Sequence, residues 1–198
     1  MGSTPEQWRR KRLDVGLSVL YTDSSGNTVP NPGILKKHEK KIARLQRRLS
    51  KKEKGSKNRE KARKRLAIEL EKVSDIRKDY LHKVSYRLAN ENQVVCAEDL
   101  NVKGMMKNKR LAKSIGDVSW GEFYRMLEYK MADHGGIMVK VPGTFPSSQL
   151  CSCCGKKEPK VKDLSVRRWK CAACGTIHDR DVNAAINILN KGKEILAS

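Results

Sequence analysis

Two cysteine pairs constrain this chain more than any other feature: Cys151-x-x-Cys154 and Cys171-x-x-Cys174, with 16 residues between them. A CxxC turn presents two sulfurs to one ion, and two such turns supply the four thiolates of a closed tetrahedral zinc site. A glycine follows each pair (Gly155 and Gly175) and tolerates the backbone turn that points amides at the sulfurs. Cys153, inside CSCC, is a competing thiol, but the two-residue gap favours Cys151. Cys96 lies in an apolar run and reads as a buried strand residue. Four protein thiolates leave no position open for water, so the zinc is expected to be structural, and a ribbon this small depends on its metal to fold. Within a few residues the chain enters the acidic cluster DRD (179–181). A structural metal beside carboxylates suggests that one positions the other.

Charge points to the partner. Among 198 residues, 43 Lys and Arg face 22 Asp and Glu, a formal net charge of +21. A compact chain with that excess repels itself unless it meets a polyanion, and nucleic acid gains further from counterion release. An anionic membrane surface is the competing reading, yet no apolar run approaches the roughly 18 residues of a spanning helix. The N-terminus MGSTPEQWRRKR lacks the apolar core of a secretory signal. An intracellular, cytoplasmic protein with reduced cysteines is therefore expected.

Hydrophobic periodicity predicts an α/β fold on a mixed sheet. Residues 12–22, RLDVGLSVLYT, read as one arm of a β-hairpin, with the turn at DSSGN and the second arm near Asn27–Pro30. Ile42, Leu45 and Leu49 then recur at helical spacing, and after KGSKN so do Leu66, Leu70, Val73, Ile76, Tyr80, Val84 and Leu88. These predict a helical hairpin with its tip at Gly55 and one continuous apolar stripe along the second helix. Between Lys36 and Arg65 this hairpin carries 16 basic and three acidic residues, a local net charge of +13. A solvated helical face is the bland account of such a run. The density favours phosphate contact, with Arg44, Arg47, Arg48, Lys51, Lys52, Lys57, Arg59 and Arg63 as the candidate residues.

QVVCAEDL (93–100) reads as a buried strand ending in acids, NVKGMMKNKRLAKSI as a mobile basic loop, and SWGEFYRMLEYKMADHG as a helix. Trp120 and Tyr124 are candidates for base stacking, with core packing the stronger reading. GIMVKVP predicts another strand, and DVNAAINILNKGKEIL closes the chain as a helix. Asp14 in the first strand, Glu98 at a strand end and the Asp179/Asp181 pair at a helix start are the acids that such a fold could bring together. Converging carboxylates hold two Mg²⁺ ions in the arrangement used to cleave phosphodiesters. A cap or solvated acid is the ordinary role for any one of them.

Taken in order, LDVGL, GSKNREKARKRLA, VVCAEDLNVKGM, SWGEFYRMLEYK, FPSSQLCSCCG, WKCAACG and HDRDVNAAINIL resemble the C-terminal half of TnpB, the transposon-encoded RNA-guided DNA nucleases related to type V CRISPR effectors. The resemblance runs from about Leu13 to Leu189. It implies an RNase H-like (RuvC) mixed sheet with an inserted basic helical hairpin and a zinc-ribbon insert. The segments implied are a first RuvC part (1–34), the hairpin (35–90), a second RuvC part (91–145), the ribbon (146–177) and a third RuvC part (178–198). By the same resemblance the catalytic, Mg²⁺-binding acids fall on Asp14, on Glu98 rather than Asp99, and on Asp181 with Asp179 as runner-up. The structural zinc ligands fall on Cys151, Cys154, Cys171 and Cys174. On the ribbon, Arg167, Arg168 and Lys170 are the implied phosphate contacts.

The implied function is metal-dependent DNA cleavage guided by RNA, with guide RNA and target DNA as partners. Members of the family usually carry a long N-terminal half that grips the guide, whereas about a dozen residues precede Asp14 here. A protein supplying that half, or a second copy of this chain, is the candidate protein partner. The alternative is a non-catalytic RNA- or DNA-binding subunit that uses the basic hairpin and the ribbon alone.

Overall fold

The computed structural model describes residues 10–16, 19–163 and 165–198, excluding the side chains of residues 10–12 and 14. A five-stranded mixed sheet runs in the order β3-β2-β1-β4-β5. Its strands are β1 (Arg10–Val15), β2 (Val19–Asp23), β3 (Thr28–Pro30), β4 (Val94–Asp99) and β5 (Ile137–Pro142). β4 pairs in parallel with β1 on one side and β5 on the other, while β2 and β3 add antiparallel.

The apolar run VVCA explains why β4 lies at the centre. All four residues are fully buried, because strand geometry sends alternate side chains to opposite faces and both faces are covered. Val95 and Ala97 pack with Leu13 against helices α2 (Lys57–Glu91) and α5 (Trp120–Asp133), through Leu81, Val84 and Leu88 on one and Phe123, Leu127 and Met131 on the other. Val94 and Cys96 pack with Val139 and Val141 against Ile188 and Leu189 of the last helix, α6 (Arg180–Ala197). Each fully buried aliphatic side chain contributes about 1.5–3 kcal/mol. The fold is thus a helix–sheet–helix sandwich. No described helix is long and apolar enough to cross a membrane.

α1 (Ile34–Ser50) and α2 form the predicted hairpin, and Gly55 at its tip has φ 82°. Ser56 caps α2 by accepting from the Arg59 amide (3.1 Å). Across the hairpin the buried Glu69 accepts from His38 (2.7 Å) and Lys41 (2.5 Å).

Three expectations are corrected. The 12–22 stretch is not one arm but holds parts of two strands, β1 and β2, paired antiparallel with Asp14 opposite Thr22. The alternation of β-forming residues continues through the break, so it carries no mark of the reversal. The 101–115 segment is not a loop: it forms α3 (Val102–Met105), capped by Asn101, and α4 (Ala112–Val118), which buries Ile115 and Val118. Its lysines masked two short apolar faces. The stripe on α2 is not continuous either. Leu66 and Val73 pack on α1, Val84 and Leu88 on the sheet, and Leu70 and Ile76 remain exposed. A helix 35 residues long changes partner along its length, and the apolar face turns with it.

α6 lies unusually close to β4. A Cβ added at Gly192 would meet Cys96 Sγ at 2.4 Å and Cys96 Cβ at 3.0 Å. Gly192→Ala is expected to destabilise the fold by about 1–3 kcal/mol, read as a lower denaturant midpoint in reducing buffer. Adding Cys96→Ala removes the sulfur from the clash and should recover part of the loss.

Candidate active site and metal centre

A cleft of about 820 Å³ opens where β1 and β4 end and α6 begins. Parallel strands present their carboxyl ends there, the usual place for a site in an α/β sheet. Val15 and Gly16 enter from β1, Glu98 from β4, residues 143–149 from the loop after β5, and Asp181 from α6. Lys157, Lys162, Arg167 and Arg180 line it as well.

Strand period explains which acid of the AED run faces the cleft. Glu98 follows Val94 and Cys96 on the face toward α6 and is partly buried, whereas Asp99 is exposed. Burial pushes the Glu98 carboxyl above its ordinary range. Gly143 lets the chain after β5 pass beside this strand end, since a Cβ there would meet the Asp99 carbonyl oxygen at 2.7 Å. Leu13 pairs with Ala97, so the backbone of Asp14 comes one residue beyond that pair, as Glu98 does on β4. The Asp14 side chain lies outside the described part of the chain.

The DRD acids have different surroundings. Asp179 caps α6, its Oδ1 accepting from the amides of Asp181 (3.0 Å) and Val182 (3.1 Å). Asp181 lines the cleft with both oxygens 3.4 Å from an Arg167 nitrogen. That contact is long and open to solvent, so it orients the carboxylate more than it stabilises the fold. Trp120 and Tyr124 are buried in the core at the start of α5, Trp120 also forming part of the cleft lining.

Beside the cleft, the ligand atoms of Cys151, Cys154, Cys171 and Cys174 all lie within 4.8 Å of one another. Cys151 and Cys174 sulfurs are 3.6 Å apart, those of Cys154 and Cys171 3.7 Å. Tetrahedral zinc with bonds near 2.3 Å requires about 3.8 Å between sulfurs, so the four could hold a metal such as zinc. The two turns are built alike: Gly155 N–H donates to Cys151 O (2.8 Å) and Gly175 N–H to Cys171 O (3.0 Å), with φ 74° and 75° at the glycines. Cys153 is exposed and outside the cluster; Cys96 is buried in β4, as expected. Behind the cysteine cluster, β6 (Arg168–Lys170) and β7 (Ile177–Asp179) form a hairpin on which the Trp169 and His178 rings meet at a tilt of 37°, centroids 4.6 Å apart.

Several site residues lie within the HDRDVNAAINIL motif but have no role assigned from the sequence. His178 Nε2 lies 3.0 Å from Cys151 Sγ, and burial lowers the imidazole pKa, favouring a neutral ring. Arg180 Nη1 donates to the Asp163 carbonyl (3.3 Å) from the cleft wall. Asn183 and Asn187 bond the backbone leading into the first cysteine turn. For the asparagines the signals are their place in that motif and the spacing of polar residues four apart on an otherwise apolar helix face.

The basic hairpin has its own groove. Arg48, Lys51 and Lys52 line a space of about 590 Å³ with Lys61 and Arg65. Arg44, Arg47, Lys57 and Arg63 are exposed on the same two helices, as are Arg168 and Lys170 on β6. Arg59 is engaged differently: its guanidinium donates to the carbonyls of Leu49 (3.2 Å) and Lys52 (2.9 Å), closing the end of α1.

Residues 6–109 match the OrfB_IS605 family, described as "Probable transposase", and residues 120–188 match the "Cas12f1-like, TNB domain". A Streptomyces pristinaespiralis protein named "Putative RNA-guided DNA endonuclease" is 46% identical over 91% of this chain and 44% of its own length. The Escherichia coli "Putative RNA-guided DNA endonuclease InsQ" is 36% identical over 93% of this chain and 49% of its own. The chain thus spans less than half the length of these two relatives. Among solved structures, a Cas12f1–sgRNA–target DNA complex gives a TM-score of 0.64 at 21% identity, covering 96% of this chain and 51% of that one. A CRISPR-Cas12f ternary complex gives 0.67 at 24%, covering 95% and 39%. Both likenesses concern the fold.

The raised pKa of Glu98 fixes the sign of a stability effect. The folded chain holds that proton more tightly than the unfolded chain, so its contribution is complete below the ordinary carboxylate range and is lost as pH rises through the raised value. Glu98→Gln is therefore expected to raise Tm by about 1–3 °C at neutral pH without added Mg²⁺. Thermal scans repeated at acid pH should show the difference vanish.

Proposed function

This chain belongs to the TnpB/OrfB_IS605 family, and we propose that it is the RNase H-like (RuvC) nuclease core of an RNA-guided DNA endonuclease, hydrolysing phosphodiesters with Mg²⁺ held by Asp14, Glu98 and Asp181. The observation that carries this reading is the single cleft lined by Glu98, Asp181 and four basic side chains at the carboxyl ends of parallel strands. Carboxylate oxygens from a strand end and a helix start are the hard donors that Mg²⁺ takes, and the backbone of Asp14 sits at the same strand edge. Bound there, two Mg²⁺ ions would supply activation of the attacking water and stabilisation of the leaving oxygen.

The chain's own residues account for the rest. Lys157, Lys162 and Arg180 supply positive charge for the phosphates flanking the scissile bond, from the same cleft that holds the acids. Arg167 holds Asp181 in place until a cation competes for its oxygens. The ribbon carries a structural zinc on Cys151, Cys154, Cys171 and Cys174 and forms one wall of the cleft, with Arg168 and Lys170 extending the basic surface. Guide RNA, or its heteroduplex with the target, lies along the hairpin, whose groove suits a backbone recognised by charge and shape.

The test is cleavage of end-labelled single-stranded DNA in Mg²⁺ by the purified chain, with its co-purified RNA and after RNase treatment. Asp14→Asn, Glu98→Ala and Asp181→Asn are each expected to reduce cutting to background while leaving binding intact. Residual cutting by Glu98→Ala overturns the assignment of that acid; tight binding with no cutting by any form moves the chain to a binding subunit. On the hairpin, Arg48→Ala should weaken RNA binding and lower the slope of log affinity against log salt by about 1, measured by titration at several salt concentrations.

A further inference from the structure

α6 carries two buried asparagines one turn apart, Asn183 at 1% exposure and Asn187 at 7%. The neighbouring Ala184, Ala185, Ile188 and Leu189 are buried apolar residues, and a carboxamide among them is costly unless paired. Their side-chain hydrogen bonds described here go to the segment that enters the first cysteine turn. Asn183 Oδ1 accepts from Ser152 N–H (2.9 Å), and its Nδ2 donates to Leu150 O (2.7 Å). Asn187 Nδ2 donates to Ser147 O and Leu150 O, both at 2.7 Å. The two groups held by Asn183 flank Cys151, so one side chain fixes the backbone on both sides of a metal ligand. His178 reaches the same residue through its sulfur (3.0 Å). Asp181 stands between these two contacts in the sequence, on the first turn of α6.

We infer that Asn183 is a positioning residue that couples occupancy of the four-cysteine site to the carboxylate of Asp181. Only a carboxamide meets both demands, since one end accepts from an N–H while the other donates to a C=O. Aspartate keeps the shape but turns an oxygen toward Leu150 O, and an apolar residue leaves the Ser152 N–H without a partner. A metal on the thiolates fixes Cys151, and Asn183 carries that constraint to the turn bearing Asp181. By reciprocity, a cation held by Asp181 tightens the cysteine site by the same factor. The inference rests on the reading of Asp181 as a Mg²⁺ ligand.

The experiment times zinc loss from the zinc-loaded chain to a chromophoric chelator, with and without Mg²⁺, in the wild type and in Asn183→Asp. Mg²⁺ is expected to slow the loss from the wild type. Asn183→Asp should lose zinc about 10-fold faster or more, with no protection by Mg²⁺. If that variant does not fold, Asn183→Ser, which keeps a hydroxyl in place of the carboxamide, is read by the same clock with the same expectation. Equal rates in variant and wild type, or equal protection by Mg²⁺, overturn the inference. DNA cleavage by the wild type, measured in parallel, separates the two readings. A wild type that cuts with Mg²⁺ but shows no protection overturns the coupling and leaves the nuclease standing. One that neither cuts nor binds Mn²⁺ as a paramagnetic probe overturns both.

Discussion

Burial of β4 on both faces is the constraint from which the rest of the architecture follows. A strand with four consecutive fully buried residues requires a helical layer on each side, parallel neighbours on both edges, and a long connection to reach them. The connections are the helices, and the strand's last turn outward is where burial ends and Glu98 begins. A carboxylate at that boundary is desolvated enough to hold a proton more readily, yet open to the cleft. The same alternation that packs Val94 and Cys96 under α6 sends Glu98, not Asp99, toward the acid on that helix.

The second organising contact is between α6 and the ribbon. The helix begins at a cap provided by Asp179, the last residue of β7, so the β6–β7 hairpin and the helix join with no linker between them. The helix cap, the cleft-lining acid and the asparagine bonded to the first cysteine turn occupy residues 179, 181 and 183 in turn.

Much of this was legible in the residues. The cysteine spacing foretold the cluster, because four ligands in two turns admit few arrangements. The apolar run of β4 foretold a buried strand for the same reason: composition and position agreed. Legibility failed where local pattern and tertiary context diverged. The break between β1 and β2 falls inside an alternating stretch, so period alone could not show that the chain reverses. α3 and α4 bury few residues amid many lysines, and their order depends on surfaces such as Asp117, which accepts from Leu35 N–H (2.9 Å). Arg59 looked like its basic neighbours until the carbonyls it closes were in view. Asn183 and Asn187 meet partners more than thirty residues away in the chain, a distance at which no spacing rule operates.

The length of α2 has an electrostatic consequence. From its first turn at Lys57 to Tyr80, where packing against the sheet begins, the helix covers about 35 Å at 1.5 Å per residue. Over that stretch it leans on α1, and the basic groove lies near the far end. At physiological ionic strength fields decay over about 8 Å, so the groove's charge at Arg48, Lys51, Lys52 and Lys61 stands several screening lengths from Tyr80, while Lys36 and Lys37 at the start of α1 stay near the packed end. The groove's potential is therefore largely screened at the Tyr80 end of the helix. A substitution among the groove residues is thus expected to leave the electrostatics at the packed end of the helix nearly unchanged.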